Sequence, residues 1–241
     1  MNHPVVSVVL PAHNESALLE AVVTEIVRGL EERQLDHEIM VVENGSSDGT
    51  AAIARKLASS FGSVRALALE QADYGRAIAT GIEQATAQVV VLFDVDYFDL
   101  HFLDEAVAMV REGKAAIVLA SKRAPGAEDL RPVMRRFLTA GFTTAMRTLL
   151  RLPVTDAHGM KALSREVCAP LAKACSMGGP LFDVELVVRA SRAGVPIVEL
   201  PARVRERRPP RTPVLQRSIE SAVGLLRLRR LMKKGAEEPK G

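Results

Sequence analysis

Short apolar runs rich in β-branched residues alternate along this chain with longer stretches whose apolar positions recur every three or four residues. Val5 to Leu10, closed by Pro11, reads as a buried strand; Leu18, Leu19, Val22, Val23, Ile26, Val27 and Leu30 then mark one face of a helix ending near Arg33. Glu38 to Val42 predicts a second strand, running into the polar turn Glu43-Asn44-Gly45-Ser46-Ser47-Asp48-Gly49-Thr50, where Asp48 can cap a helix through about Ser60. The alternation continues with a strand at Val64 to Leu69, a helix at Gly75 to about Thr86, a strand at Val89 to Phe93, a helix at Phe102 to Arg111 and a strand at Ala115 to Ala120. Strands separated by helices of this length indicate βαβ units, hence an α/β fold with a mostly parallel sheet flanked by helices.

Beyond the fifth strand, Ser121-Lys122-Arg123 leads into a turn-rich segment, and a helix is expected from about Pro132 to Arg151, with proline in its first turn. Phe137, Leu138, Phe142, Met146, Leu149 and Leu150 form its apolar positions, leaving Arg135 and Thr139, four apart, to share another face. Thr155 to Lys161 reads as a compact polar segment, Arg165 to Ala174 and Phe182 to Ala193 as helices, and Ile197 to Pro201 as a last strand. Three prolines within 207–213 describe a linker between a domain at 1–206 and a C-terminal segment at 214–241. In that segment Ile219, Val223, Leu226 and Arg230 follow one helical stripe, with Leu225, Leu228, Leu231 and Met232 beside it and basic residues between. Two uses are open to this basic amphipathic helix: docking on its own domain or a second copy as a homodimer, or lying on an anionic membrane surface.

A parallel sheet gathers its ligand-facing loops at the carboxyl ends of its strands. Three of those tips are Pro11-Ala12-His13-Asn14-Glu15, Glu43-Asn44-Gly45-Ser46 and Asp94-Val95-Asp96, so they should converge on one crevice. Asp94 and Asp96 are spaced i, i+2, which on extended chain turns both carboxylates to one side and makes half of a divalent-cation site. No GxGxxG or GxxxxGK[ST] occurs, which argues against a dinucleotide enzyme or a P-loop NTPase.

Composition changes the picture at one place. Of a net charge of +3, the span Arg203 to Lys234 contributes eleven basic residues against Glu206 and Glu220, so an anionic partner would be met by the C-terminal part. With aromatics at 4% and no nucleic-acid-reading motif, a phosphate-bearing substrate or a membrane surface fits that charge better than nucleic acid. No apolar run reaches the length of a membrane span and no signal peptide is evident, so a cytoplasmic protein is expected, peripheral on the inner face of the cell membrane if the basic helix binds lipid. Cys168 and Cys175, without a CxxC pair, are expected as reduced thiols.

Val9 to Glu15, Val41 to Thr50 and Phe93 to Asp96, in this order and spacing, resemble the inverting family-2 glycosyltransferases of GT-A (Rossmann-like) fold, over roughly residues 4 to 205. Within that family, Ala120-Ser121-Lys122-Arg123, Arg135 with Thr139, Asp156 ahead of Gly159-Met160-Lys161, and Phe182-Asp183-Val184-Glu185 are most similar to the dolichyl-phosphate or polyprenyl-phosphate mannose and glucose synthases. The resemblance implies a metal-dependent hexosyltransferase that uses a nucleotide diphosphate sugar and a polyprenyl phosphate; a soluble or saccharide hydroxyl acceptor, and a non-catalytic nucleotide-sugar-binding module, are the alternatives. It implies a donor site of Pro11, Ala12, Asn14, Glu15, Glu43, Asn44, Ser46, Asp73, Gly75, Arg76, Asp94, Val95 and Asp96, with Asp96 holding Mg²⁺ or Mn²⁺ on the diphosphate. Lys122, Arg123, Arg135 and Thr139 would grip the acceptor phosphate, although Arg135 and Thr139 also suit a plain solvated helix face. For a hydroxyl acceptor Asp156 or Asp183 would serve as base. The chain departs from the family pattern in Glu43-Asn44 for Asp-Asp, in Phe98 for a metal-shell Gln, and in His158 for a small residue, which makes His158 a candidate metal ligand beside its structural reading.

Overall fold

The computed structural model describes residues 4–130, 133–204 and 223–233. The linker expected at 207–213, the start of the C-terminal segment at 214–222 and the side chain of Arg135 lie outside the described residues. Seven strands form one sheet in the order β3-β2-β1-β4-β7-β5-β8, namely Val64–Leu69, His37–Asn44, Val6–Ala12, Val89–Leu92, Lys161–Ser164, Ile117–Ser121 and Ile197–Pro201. All seven residues of β1 are buried. Helices cover both faces of a central parallel strand, so it need not alternate apolar with polar residues.

One face carries α1 (Leu19–Glu32), α2 (Thr50–Ser60) and α4 (Leu100–Arg111), whose Val22, Ile26, Leu57, Leu103 and Val107 pack with Val8, Leu10, Val41 and Val91. The other carries α3 (Tyr74–Gln84), α6 (Arg165–Lys173), α7 (Leu181–Arg192) and the C-terminal half of α5 (Val133–Leu150), centred on Ile78, Ile82, Met146, Leu150, Leu186 and Val187. Both cysteines are free.

Two features differ from the pattern read in the sequence. The polar segment before Lys161 turns into a strand, β7, which lies antiparallel between β4 and β5, pairing Leu92 and Leu119 with Lys161. At four residues, with a lysine at its head, it is too short for period-two patterning to reveal. The second concerns α5. Val133, Met134 and Phe137 of α5 are 77%, 68% and 76% exposed, as is Leu130 ahead of it at 73%, while Thr143, Met146 and Leu150 on roughly the opposite side of the helix are buried. Among the described side chains of α5, the apolar ones of the first turns face outward and those of the later half pack on the domain. A pair of two-residue strands leads into it: β6 (Glu128–Asp129) lies parallel to β9 (Arg203–Val204).

Residues 223–233 are helical, and Leu225, Leu228 and Met232 are buried in the same layer as α7. Arg192 Nη1 donates to the Met232 carbonyl at 2.7 Å. The described part of the C-terminal helix therefore docks on its own domain, leaving Val223 and Leu226 exposed.

Candidate active site

The tips of β1, β2 and β4 meet as the parallel register requires, with Ala12 opposite Glu43 and Phe93 N–H donating to the Val9 carbonyl at 3.0 Å. Asn14, at φ +55°, adopts the left-handed conformation that asparagine tolerates. Its N–H donates to Ser46 Oγ at 3.0 Å and its Oδ1 accepts from Ser47 N–H at 2.9 Å, stapling the first tip to the second. His13 Nδ1 lies 2.7 Å from the Asn44 carbonyl. Glu43 accepts from Ser46 N–H at 2.6 Å and holds its own turn, while Asp48 accepts from Thr50 N–H at 2.9 Å at the start of α2.

After β4 the chain folds into a tight bridge, with Asp94 and Tyr97 exchanging backbone hydrogen bonds at 3.1 Å. Asp94 and Asp96 stand on this turn. A cavity of about 320 Å³ opens there, lined by Pro11, His13, Glu15, Asn44, Ala72, Tyr74, Asp94, Val95 and Asp96. Of the residues expected at the donor, Pro11, Glu15, Asn44, Asp94, Val95 and Asp96 line it. Ala12 is wholly buried in the core, and Asn14, Glu43 and Ser46 shape the loops behind it. Asp73 caps α3 by accepting from Arg76 N–H at 3.1 Å, and also accepts from Gly179 N–H at 3.2 Å. A Cβ on Gly75 would fall 2.7 Å from Phe182 Cβ, so this glycine lets α3 and α7 approach. Arg76 is exposed. A wider groove of about 720 Å³ along α1 and Leu100 gathers no strand tip.

Behind the cavity lies a set of buried charges. Lys161, 1% exposed, pairs with Asp183 Oδ1 at 3.0 Å and donates to the Gly159 carbonyl at 2.7 Å. Lys122 pairs with Asp156 at 3.0 Å, and a Cβ on Gly159 (φ +95°) would come within 3.3 Å of Lys122 Nζ. Burial, then the negative charges of Asp183 and Asp96, push the Asp94 carboxyl up to about 6, against the opposing hydrogen bond from Tyr74 Oη at 3.0 Å. Asp156 is held below the usual carboxylate range: burial alone would raise it, but Lys122 foremost, then His158 and its backbone N–H, outweigh that. Burial pushes His158 down to about 4, so its imidazole is neutral at neutral pH. Its ring packs on Phe142 of α5, centroids 5.4 Å apart.

Asp94 and Asp96, two oxygen donors beside one cavity with one carboxyl raised by crowded negative charge, fit a hard divalent cation. Among the described residues no group of three His, Cys, Asp or Glu converges as a cation site, so His158 does not join the pair in one cluster. Phe98 packs against Phe93 at 5.9 Å between centroids and offers no donor.

Arg123 and Lys122 stand on the turn after β5, and Thr139 is half-buried on α5. Four residues of this region had no role assigned from the sequence: Tyr74, His13 of the first tip, and Lys161 and Glu199. The last two carried a signal, a charge inside an otherwise apolar run.

The glycosyl transferase family 2 profile matches residues 7–171. Glycosyltransferase AglD of Haloferax volcanii is 33% identical over 201 residues, covering 81% of this chain and 32% of that protein, so the chain spans about a third of that relative's length. An uncharacterized glycosyltransferase of Mycobacterium tuberculosis is 32% identical over 196 residues, covering 81% of this chain and 83% of the relative. Among solved structures, glucosyl-3-phosphoglycerate synthase from Mycobacterium tuberculosis with Mn²⁺, uridine diphosphate and phosphoglyceric acid superposes with a TM-score of 0.67 at 25% identity, covering 94% of this chain and 78% of the other. Its complex with Mn²⁺, UDP-glucose and phosphoglyceric acid gives 0.64 at 21% identity, covering 94% and 80%.

Proposed function

The chain belongs to glycosyl transferase family 2, and on that premise we propose that it moves a hexose, with inversion, from a nucleotide diphosphate sugar to a polyprenyl (dolichyl-type) phosphate at a membrane surface. The nucleotide occupies the cavity between Pro11, Asn44 and Asp94, with Mg²⁺ or Mn²⁺ held by Asp94 and Asp96. When bound, that ion offsets the charge gathering on the leaving diphosphate.

The observation that carries the choice of acceptor is the state of the two candidate bases. Asp156 and Asp183 are both buried and both paired to lysines, at 3.0 Å each. A carboxylate paired to a buried cation is a poor proton acceptor. An acceptor that needs no base suits such a site, and a phosphate monoester, with a second pKa of about 6, is already ionised. Its oxygen attacks the anomeric carbon from the face opposite the diphosphate; the new C–O bond forms as the old one breaks, the electron pair leaves with the nucleoside diphosphate, and no proton moves. The chain's own contribution is positioning and electrostatics. Lys122 and Arg123 offer positive charge to the acceptor phosphate, with Arg135 and Thr139 proposed beside them on α5. The exposed Val133, Met134 and Phe137 on that helix, with Leu130 ahead of it, offer an apolar track for the prenyl chain.

A second reading, a hydroxyl acceptor, draws on the phosphoglyceric acid in the similar solved structures. Incubation with radiolabelled nucleotide sugars, Mn²⁺ and either polyprenyl phosphate or phosphoglyceric acid separates the two. Label extracted into organic solvent supports the first reading; label confined to a water-soluble product sinks it.

A further inference from the structure

Glu199 stands on β8 opposite Leu119 of β5, remote from the donor cavity, and its carboxylate is wholly engaged by the loop that carries Asp156. Thr155 N–H donates to both of its oxygens at 2.9 Å, Asp156 N–H donates to Oε1 at 2.9 Å, and the Thr155 hydroxyl donates to Oε1 at 2.7 Å. A carboxylate only accepts, so the single hydroxyl proton of Thr155 is spent on Glu199. The 2.7 Å contact between Thr155 Oγ1 and Ser121 Oγ must then take its proton from Ser121. That leaves the lone pairs of Ser121 Oγ to accept from the backbone N–H groups of Arg123 and Ala124, both at 3.1 Å. One anionic group thus sets the polarity of a chain of hydrogen bonds ending at the turn bearing Lys122 and Arg123. Through Asp156 N–H it also holds the carboxylate that pairs with Lys122 at 3.0 Å. The backbone of this turn and the Lys122 side chain are therefore held from both directions by a residue that touches neither.

From this geometry we infer that Glu199 is the positioning residue of the acceptor-phosphate site, acting through Thr155, Ser121 and Asp156 to fix Lys122 and the turn that carries it. The inference rests on the reading that Lys122 meets the acceptor phosphate. Glu199→Gln preserves size but presents an N–H₂ to the Thr155 N–H or hydroxyl, reversing or breaking the chain. Hydrogen bonds to a charged group are worth enough that loss of this one ordering element weakens acceptor binding about ten- to thirtyfold.

The test measures dissociation constants of farnesyl phosphate and of phosphoglyceric acid for the full chain with Mn²⁺ and saturating nucleotide, for wild type, Glu199→Gln, Thr155→Val, Lys122→Met and the Glu199→Gln/Lys122→Met double variant. Expected are a ten- to thirtyfold loss for Glu199→Gln, a smaller loss for Thr155→Val, nucleotide affinity within twofold of wild type, and a double variant no weaker than Lys122→Met alone. Additive losses in the double variant, or a parallel fall in nucleotide affinity, would overturn the positioning role. If wild type binds phosphoglyceric acid but not farnesyl phosphate, the lipid-acceptor reading falls while the Glu199 comparison is still read on phosphoglyceric acid. If it binds neither, both fall.

Discussion

Two residues decide how the charged interior answers to pH and mutation. The Asp94 carboxyl is pushed from an ordinary 3.8 up to about 6. A raised acid pKa means that the folded state holds the proton more tightly than the unfolded chain. Stability is therefore lost as pH rises from about 4 through 6 and is not regained above it. A cation beside Asp94 and Asp96 would offset both the burial of that charge and the crowding by Asp183 and Asp96. Thermal melting should show the metal-free protein losing stability across that window, with Mn²⁺ restoring it increasingly above pH 6. Asp94→Asn should flatten both responses, and an unchanged Mn²⁺ shift in that variant would refute the cation site. Lys161 is the other case. Lys161→Met strands Asp183 in the interior near Asp94 and should cost about 3–5 kcal/mol in urea unfolding, with Lys161→Met/Asp183→Asn recovering much of it. A loss below 1 kcal/mol would show that the pair is not the counterweight its burial implies. The carboxylates at 94 and 96 could be read from the sequence, because a strand ending in Asp-x-Asp states its chemistry locally. Lys161 and Glu199 showed there only as charges within apolar runs, since their partners, Asp183 on α7 and the Thr155–Asp156 loop, are brought to them by the fold.

The same contrast holds for elements. The parallel half of the sheet was legible because buried runs and helix periods are local patterns, and β1 to β4 fall within about two residues of where those patterns put them. β7 was not, because inserting four antiparallel residues between β4 and β5 is decided by topology rather than by patterning. α5 misled in another way: Phe137, expected among its apolar packing positions, is exposed. If the stripe Leu130, Val133, Met134 and Phe137 receives a prenyl chain, a Val133→Ser/Phe137→Ser variant should keep its melting temperature within about 2 °C, since surface changes seldom exceed about 0.5 kcal/mol. Its KM for a long-chain polyprenyl phosphate should rise at least fivefold while that for farnesyl phosphate changes little. Equal KM effects on both lengths would remove the stripe from the substrate path.

At the scale of the whole molecule, the C-terminal helix serves the fold before any partner. Leu225, Leu228 and Met232 complete the layer around α7, so deleting the helix opens the core and cannot by itself report on a membrane role. Leu228→Ala should cost about 2–4 kcal/mol, as other buried leucine truncations do. The outward side is a separate matter. Arg227, Arg229, Arg230 and Lys233 are exposed there, as are Val223 and Leu226, and no helix among the described residues is long and apolar enough to cross a membrane. Each basic residue close to an anionic leaflet contributes about 1 kcal/mol to adsorption. Replacing Arg227, Arg229 and Arg230 by Gln changes only exposed side chains, so the melting temperature should hold while partition onto vesicles rich in phosphatidylserine falls by about two orders of magnitude. Neutral phosphatidylcholine vesicles should not distinguish the variant from wild type. Adsorption of both proteins to anionic vesicles with equal strength would locate any membrane contact elsewhere, leaving this helix a buttress of the α7 layer alone.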